Sequence, residues 1–244
     1  MSSVGIVLVH GGLHAGDCWD PTVHELRRQA PGLRVLAPDL PGRGSVPGDL
    51  ANLTIEDCVR AVVDQIDAAR LDKVVLVGHS LAGITVPGVA EALGSRVVRR
   101  VFLACCVPPQ GSSVIDTLSG PLRFVASRRI KVGGIAKPIP RTLARWAFCN
   151  EMSPSQAAMV LGRLYPDSAS VLTQKASRAP SSVPTTWVLT TRDRALAPRK
   201  QRRFIENLGG AVEVVELRSC HDAMIAEPAA LSRILLDAAG VRPV

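Results

Sequence analysis

Residues 74–83 read V-V-L-V-G-H-S-L-A-G, four apolar residues followed by a serine held among small neighbours. A buried strand that stops on so tight a knot of small residues makes a sharp turn into a helix. Such a turn holds Ser80 in a sparsely populated backbone region and lifts its hydroxyl clear of the chain, which only small flanking side chains tolerate. Gly78 meets that need, and Gly83 is expected to add slack. Ala82 departs from the strict G-x-S-x-G spacing by one methyl group. In isolation, an ordinary Gly-rich turn between a strand and a helix reads the same. The rest of the chain decides.

Outward from this turn, short apolar runs alternate with longer segments of helical period. Strands are expected at 4–10, 33–38, 73–78, 99–106, 185–191 and 211–217. Their continuous Val/Leu character suits strands covered on both faces, as in a parallel sheet. Helices are expected at about 19–29, 55–69, 81–94, 197–208 and 227–239. In the second of these, Ile55, Val59, Val62, Val63 and Ile66 share one stripe, and Thr54-x-x-Asp57 offers a capping box. Pro228 suits the first turn of the last helix. The repeated strand–helix–strand order specifies an α/β fold, a doubly wound and mostly parallel sheet.

The alternation breaks between 106 and 185. Nearly 80 residues there are rich in proline, with helical patterns at about 141–150 and 154–163, the latter opened by Ser153-Pro154. So long a connection without structure of its own would be anomalous. Residues 110–182 are therefore read as a cap inserted into a core made of 1–109 and 183–244.

A serine nucleophile needs a base, and the base needs an orienting acid. His221 follows the strand at 211–217, where a loop at the sheet's C-terminal edge places it. His10, His14 and His24 fit less well, and His79, although adjacent to Ser80, should project elsewhere. Asp193 follows the strand at 185–191. Its rivals are weaker: Asp116 and Asp167 belong to the insertion, and Asp222 adjoins the base. All three members of the set Ser80, Asp193 and His221 fall just after strands. The stretch His10-Gly11-Gly12-Leu13, after the first strand, brings a bare backbone beside the turn. The amides of Gly12 and Leu81 are the expected donors to an oxyanion.

Composition narrows the setting. The 244 residues are 47% hydrophobic and 20% charged, enough for a sizeable core and against disorder. No apolar run is long enough to span a bilayer, and the first residues lack the basic start of a signal peptide. A cytoplasmic protein without membrane partners is expected. The six cysteines show neither a C-x-x-C pair nor zinc spacing, so buried reduced thiols and no metal are expected, with Cys105 and Cys106 on opposite faces of a strand. The net charge is +8, and no acid separates Asp116 from Glu151, where Arg123, Arg128, Arg129, Lys131, Lys137, Arg141 and Arg145 occur. These cations read as a solvated surface or as an attraction for anionic ligands. No nucleic-acid-binding motif is present, and the composition leaves a homodimer open.

With these pieces assembled, the chain resembles the α/β-hydrolase superfamily over essentially its full length. The matching stretches are H-G-G-L-H-A-G-D-C-W (10–19), A-P-D-L-P-G-R-G (37–44), G-H-S-L-A-G (78–83), L-T-T-R-D-R-A-L-A-P (189–198) and C-H-D-A-M-I-A-E-P (220–228). Within it, the chain looks most like the branch of plant methyl esterases, hydroxynitrile lyases and bacterial esterases, which also carries a Gln-containing helix after the acid loop. The resemblance implies a Ser–His–Asp triad, two backbone oxyanion donors, a helical cap and no cofactor, with Trp19 a packing residue and Asp39 a loop-fixing one. Epoxide hydrolases and dehalogenases of the superfamily carry aspartate where Ser80 stands. Hydroxynitrile lyases of the branch have threonine at the place of Gly11 and lysine at the place of Asp222, whose charge would oppose a cyanide anion if it faced the pocket. The reading is a serine esterase acting on a small ester. A C–C bond hydrolase, a hydroxynitrile-lyase-like enzyme, a thioesterase or a non-catalytic ligand receptor on the same scaffold are the alternatives. The pocket is expected to be more aliphatic than aromatic.

Overall fold

The computed structural model of the chain describes residues 4–118, 123–124 and 134–243. Its strands are β1 (Val4–Val9), β2 (Val35–Leu36), β3 (Lys73–His79), β4 (Val97–Leu103), β5 (Ile135–Ala136), β6 (Asp167–Ser168), β7 (Thr185–Thr190) and β8 (Glu213–Leu217). Six of them form one sheet in the order β2-β1-β3-β4-β7-β8, with every neighbouring pair parallel. The chain runs outward from β1 to β2, then crosses back over β1 to β3. That reversal opens a crevice beyond the C-terminal ends of β1 and β3, where open α/β sheets bind ligands. Val9 is in register with Gly78, so the loops after both strands leave the sheet side by side.

Both faces of the sheet are covered, as the unbroken Val/Leu runs require. Ile6, Leu8, Val75 and Val77 pack with Trp19, with Leu26 of α1 (Asp20–Gln29), and with Leu231 and Leu235 of α8 (Pro228–Ala238). The alternate residues Val7, Val9, Val74 and Leu76 meet α2 (Ile55–Ala68), α3 (Val86–Leu93) and α7 (Pro198–Leu208). Helix α2 starts where its capping box dictates. Thr54 Oγ1 accepts the Asp57 N–H, and Asp57 Oδ2 accepts the Thr54 N–H, both at 3.1 Å. Ile55, Val62 and Ile66 are buried on its inner stripe.

Several local expectations are corrected. Strand β2 is two residues long rather than 33–38, and β4 ends at Leu103 rather than Cys106. Ala104 turns the chain there with φ of 44°. Cys105 and Cys106 consequently lie beyond the strand and pack into the same core face, where Cys105 Sγ donates to Gly78 O at 3.0 Å. All six cysteines are buried and unbridged. The helix expected from residue 81 begins as a tight 3-10 turn, Ser80–Ile84, before α3.

Gly83 is not slack. A Cβ there would lie 2.3 Å from the Cys106 carbonyl oxygen, so the helix and the β4 exit touch backbone to backbone. Gly83→Ala should destabilise the fold by about 1–3 kcal/mol, the usual cost of overpacking, read as a lower thermal midpoint. An unchanged midpoint would show that this contact yields freely.

The insertion between β4 and β7 has an order of its own. Strands β5 and β6 pair antiparallel, and α4 (Arg141–Phe148), α5 (Pro154–Gly162) and α6 (Ala169–Thr173) accompany them. Ser153 and Gln156 form the capping box that starts α5. Ala157 and Val160 join the core beside α1, and Gln156 Nε2 donates to Ile225 O at 2.8 Å. Of the basic residues singled out in the insertion, Arg128, Arg129 and Lys131 lie outside the described residues. Among the described residues, no helix is long and apolar enough to cross a membrane.

Candidate active site

Ser80 leaves β3 with φ of 51°, in the left-handed region that a non-glycine residue enters only when its surroundings hold it there. Small neighbours permit the turn: a Cβ on Gly78 would lie 2.6 Å from Val86, and one on Gly11 would lie 2.8 Å from Ser80 Cβ. Three strand ends then converge. His221 Nε2 is 2.9 Å from Ser80 Oγ, and His221 Nδ1 is 2.7 Å from Asp193 Oδ2. The structure thus joins Ser80, His221 and Asp193, drawn from loops after β3, β8 and β7, into one hydrogen-bonded chain.

Asp193 is fixed from several sides. Thr190 Oγ1 donates to Oδ2 at 2.9 Å, and the Leu196 N–H donates to Oδ1 at 2.7 Å. Beneath it lies Gln201 of α7, which is fully buried. Its Nε2 reaches Thr190 O, Leu196 O and Asp193 Oδ2, while its Oε1 accepts from Trp187 Nε1 and Thr190 N. The buried Asp193 and His221 are positioned as a unit. Burial alone would depress the His221 pKa, but the Asp193 carboxylate and its hydrogen bond outweigh this and raise it above 6.5.

The loop after β1 carries the two glycines. Leu81 opens the turn after Ser80, where the first amides of a helix lack intrahelical partners. The Gly12 N–H has no protein acceptor among the described residues. The remaining histidines divide by role. His10 Nδ1 donates to Gly11 O at 2.9 Å and its Nε2 accepts from Leu40 N at 3.1 Å. Burial holds it neutral, with a pKa of about 3. His79, equally buried, contacts the His221 carbonyl at 3.1 Å through Nε2, bracing the loop that carries His221.

His14 and Asp222 form a second buried pair. His14 Nε2 is 3.1 Å from Asp222 Oδ2, and His14 Nδ1 donates to Gly12 O at 2.8 Å. Burial opposes a charge on His14, yet the Asp222 carboxylate raises its pKa to about 9. Asp222 therefore faces His14 and His79 and is absent from the cavity wall, so the condition under which its charge would oppose a cyanide anion there is not met. His79, His221 and Asp222 lie close enough together to hold an ion. However, both ring nitrogens of His221 are engaged by Asp193 and Ser80.

A cavity of about 200 Å3 opens at Ser80 and His221. Among the described residues its wall is mostly aliphatic: Leu13, Leu81, Val114, Leu118, Ile139, Leu172 and Leu196, with Phe148 as the one aromatic side chain. The Phe148 ring stacks 5.5 Å from that of His221. The insertion supplies Val114, Leu118, Ala136, Lys137, Ile139, Ala147, Phe148, Asp167 and Leu172 to this wall. One basic residue, Lys137, and one acidic residue, Asp167, line it, so a cationic funnel for anions is not built into the described wall. Asp116 and Asp167 take partners other than His221. Asp116 accepts from Ser113, and Asp167 bonds the Leu13 amide at 2.7 Å and pairs with Arg43. Trp19 is fully buried, and Asp39 fixes its loop through Gly16 N and Ser45 N. The pairs Arg43–Asp167 and His14–Asp222 escaped the sequence reading, because neither spacing nor periodicity links residues 124 and 208 positions apart.

The model of the alpha/beta hydrolase family matches residues 6–234. A carbendazim hydrolyzing esterase of Nocardioides sp. (strain SG-4G) is 36% identical over 150 residues, which span 56% of this chain and 60% of that enzyme. The probable esterase PIR7A of Oryza sativa is 30% identical, with 94% of each chain covered. A solved extracellular alpha/beta-hydrolase from a Paenibacillus species, described as sharing structural and functional homology with tobacco salicylic acid binding protein 2, superposes with a TM-score of 0.84. It is 25% identical and covers 96% of this chain and 98% of its own.

Proposed function

We propose that this chain, which belongs to the alpha/beta hydrolase family and is a carboxylic ester hydrolase, cleaves a small ester through an acyl-enzyme at Ser80. The observation that carries the reading is the unbroken contact from Ser80 Oγ to His221 Nε2 and from His221 Nδ1 to Asp193, at the floor of an apolar cavity. As Ser80 Oγ attacks the acyl carbon, its proton passes to His221 Nε2. The resulting oxyanion lies under the Gly12 and Leu81 amides, and Asp193 stabilises the imidazolium. His221 then protonates the departing alcohol, and a water deprotonated by His221 releases the acid. Nothing in these steps calls for a metal or a cofactor.

Residues 110–182 act on this reading as a cap over the site, and the cavity's modest size and aliphatic wall favour a short, uncharged ester. A cytoplasmic setting accords with the reduced cysteines. Cyanohydrin cleavage is disfavoured on two counts. Gly11 offers no hydroxyl to hold a substrate oxygen, and the residue after the base is the buried Asp222 rather than a cation.

Short p-nitrophenyl and methyl esters, tested beside mandelonitrile, check the proposal. Ester hydrolysis well above the uncatalysed rate is expected, with no cyanide release above background. Rapid cyanide release from mandelonitrile with inert esters would overturn it.

A further inference from the structure

We propose that Asp167 is a positioning residue for the oxyanion hole. Through it, the insertion between β4 and β7 holds the Gly12–Leu13 backbone in the conformation that presents the Gly12 amide. The inference rests on the esterase reading, in which Gly12 N–H meets the developing oxyanion.

The loop's hydrogen bonds can be followed one by one. Gly11 O accepts from His10, and Gly12 O accepts from His14. The Leu13 N–H donates to Asp167 Oδ2 at 2.7 Å, and Leu13 O accepts from the Tyr165 N–H at 2.9 Å. His14 O accepts from Arg43 Nε at 3.2 Å. Two of these five bonds come directly from residues 165–167 of the insertion. A third comes from Arg43, whose guanidinium is in turn paired with Asp167 Oδ1. Arg43 and Asp167 are both buried, 5% and 6% exposed, so solvent does not substitute for either. The Gly12 N–H is left pointing to no protein acceptor among the described residues.

The loop needs such a brace. Leu13 has φ of 63°, a conformation leucine avoids unless neighbouring contacts impose it. Asp167 also presses on Gly12 itself, since a Cβ there would lie 2.9 Å from Asp167 Oδ2. A bare carboxylate beside an oxyanion would be repulsive. The ion pair with Arg43 spreads that charge, and the same oxygen is occupied by the Leu13 N–H. Asp167 accordingly acts on the reaction through the loop, not by touching the substrate's reacting atoms. A donor displaced by about 1 Å can cost about a hundredfold in rate.

Two double variants separate this role from simple packing, since both remove the buried charge of Arg43 together with that of Asp167. Arg43→Leu/Asp167→Asn keeps an acceptor for the Leu13 amide, whereas Arg43→Leu/Asp167→Ala removes it. Against p-nitrophenyl acetate, the alanine double is expected to lose about ten- to a hundredfold in kcat with KM within about twofold. The asparagine double should recover most of that loss. A trifluoromethyl ketone, which forms a tetrahedral adduct, should bind the alanine double more weakly by the factor lost in kcat/KM. An unaltered kcat, or a change confined to KM, would overturn the inference while leaving the esterase reading intact. A wild type inert toward every ester would overturn both. Should the doubles fail to fold, amide exchange in the wild type decides. The Leu13 amide should exchange slowly and Gly12 quickly, and the ketone should protect Gly12 without releasing Leu13. A Leu13 amide exchanging as freely as Gly12 would overturn the inference.

Discussion

Ser80→Ala is expected to lower ester turnover by roughly four to six orders of magnitude while leaving the thermal midpoint nearly unchanged, because members of such a triad fail as a unit. The side chain being removed is a single hydroxyl at the cavity floor, hydrogen-bonded to His221 at 2.9 Å. Its loss leaves the strand and helix packing around Gly78 and Gly83 untouched. The residual rate would come from the oxyanion amides and from binding alone. A variant that keeps more than about a tenth of the wild-type rate would mean that another group attacks the ester.

Asp193→Asn carries the second largest effect, a loss of about 10⁴ in kcat. The amide can still accept from Leu196 N, so the loop should hold. Facing His221 Nδ1, however, it offers an N–H where the carboxylate accepted one. The imidazole then carries its proton on Nε2, where it can no longer take the proton of Ser80. The pH profile should move as well. His221 must be neutral to act as a base, so activity falls as the pH drops through its pKa. Burial lowers that pKa and Asp193 is the largest influence raising it. Removing the charge should therefore shift the acid limb of kcat/KM to lower pH, even as the plateau collapses. A loss below about tenfold, or an acid limb that stays in place, would remove Asp193 from the orienting role.

What the sequence made legible was what neighbouring residues decide among themselves. The Val/Leu runs announced a sheet covered on both faces, and Thr54 with Asp57 announced the start of α2 to the residue. That Ser80, Asp193 and His221 meet was readable because each follows a strand, and a parallel sheet gathers its strand exits at one edge. The misses have the opposite character. Gly83 seemed free because its partner, the Cys106 carbonyl, arrives from a different strand exit. Cys105 and Cys106 read as strand residues because nothing local announces the turn at Ala104. Asp222 could not be oriented without knowing that His14 lies behind the base. Asp167 is placed by sequence only within the insertion, and nothing local announces its contacts with Arg43 and Leu13.

The most direct test of the central claim is acid-quenched peptide mapping during steady-state turnover of p-nitrophenyl acetate. An acyl-enzyme mechanism predicts that the acetyl group is found on Ser80, appears with a burst of p-nitrophenol, and is absent from Ser80→Ala. Steady hydrolysis with the acetyl group on another residue, and Ser80→Ala as active as the wild type, would contradict it.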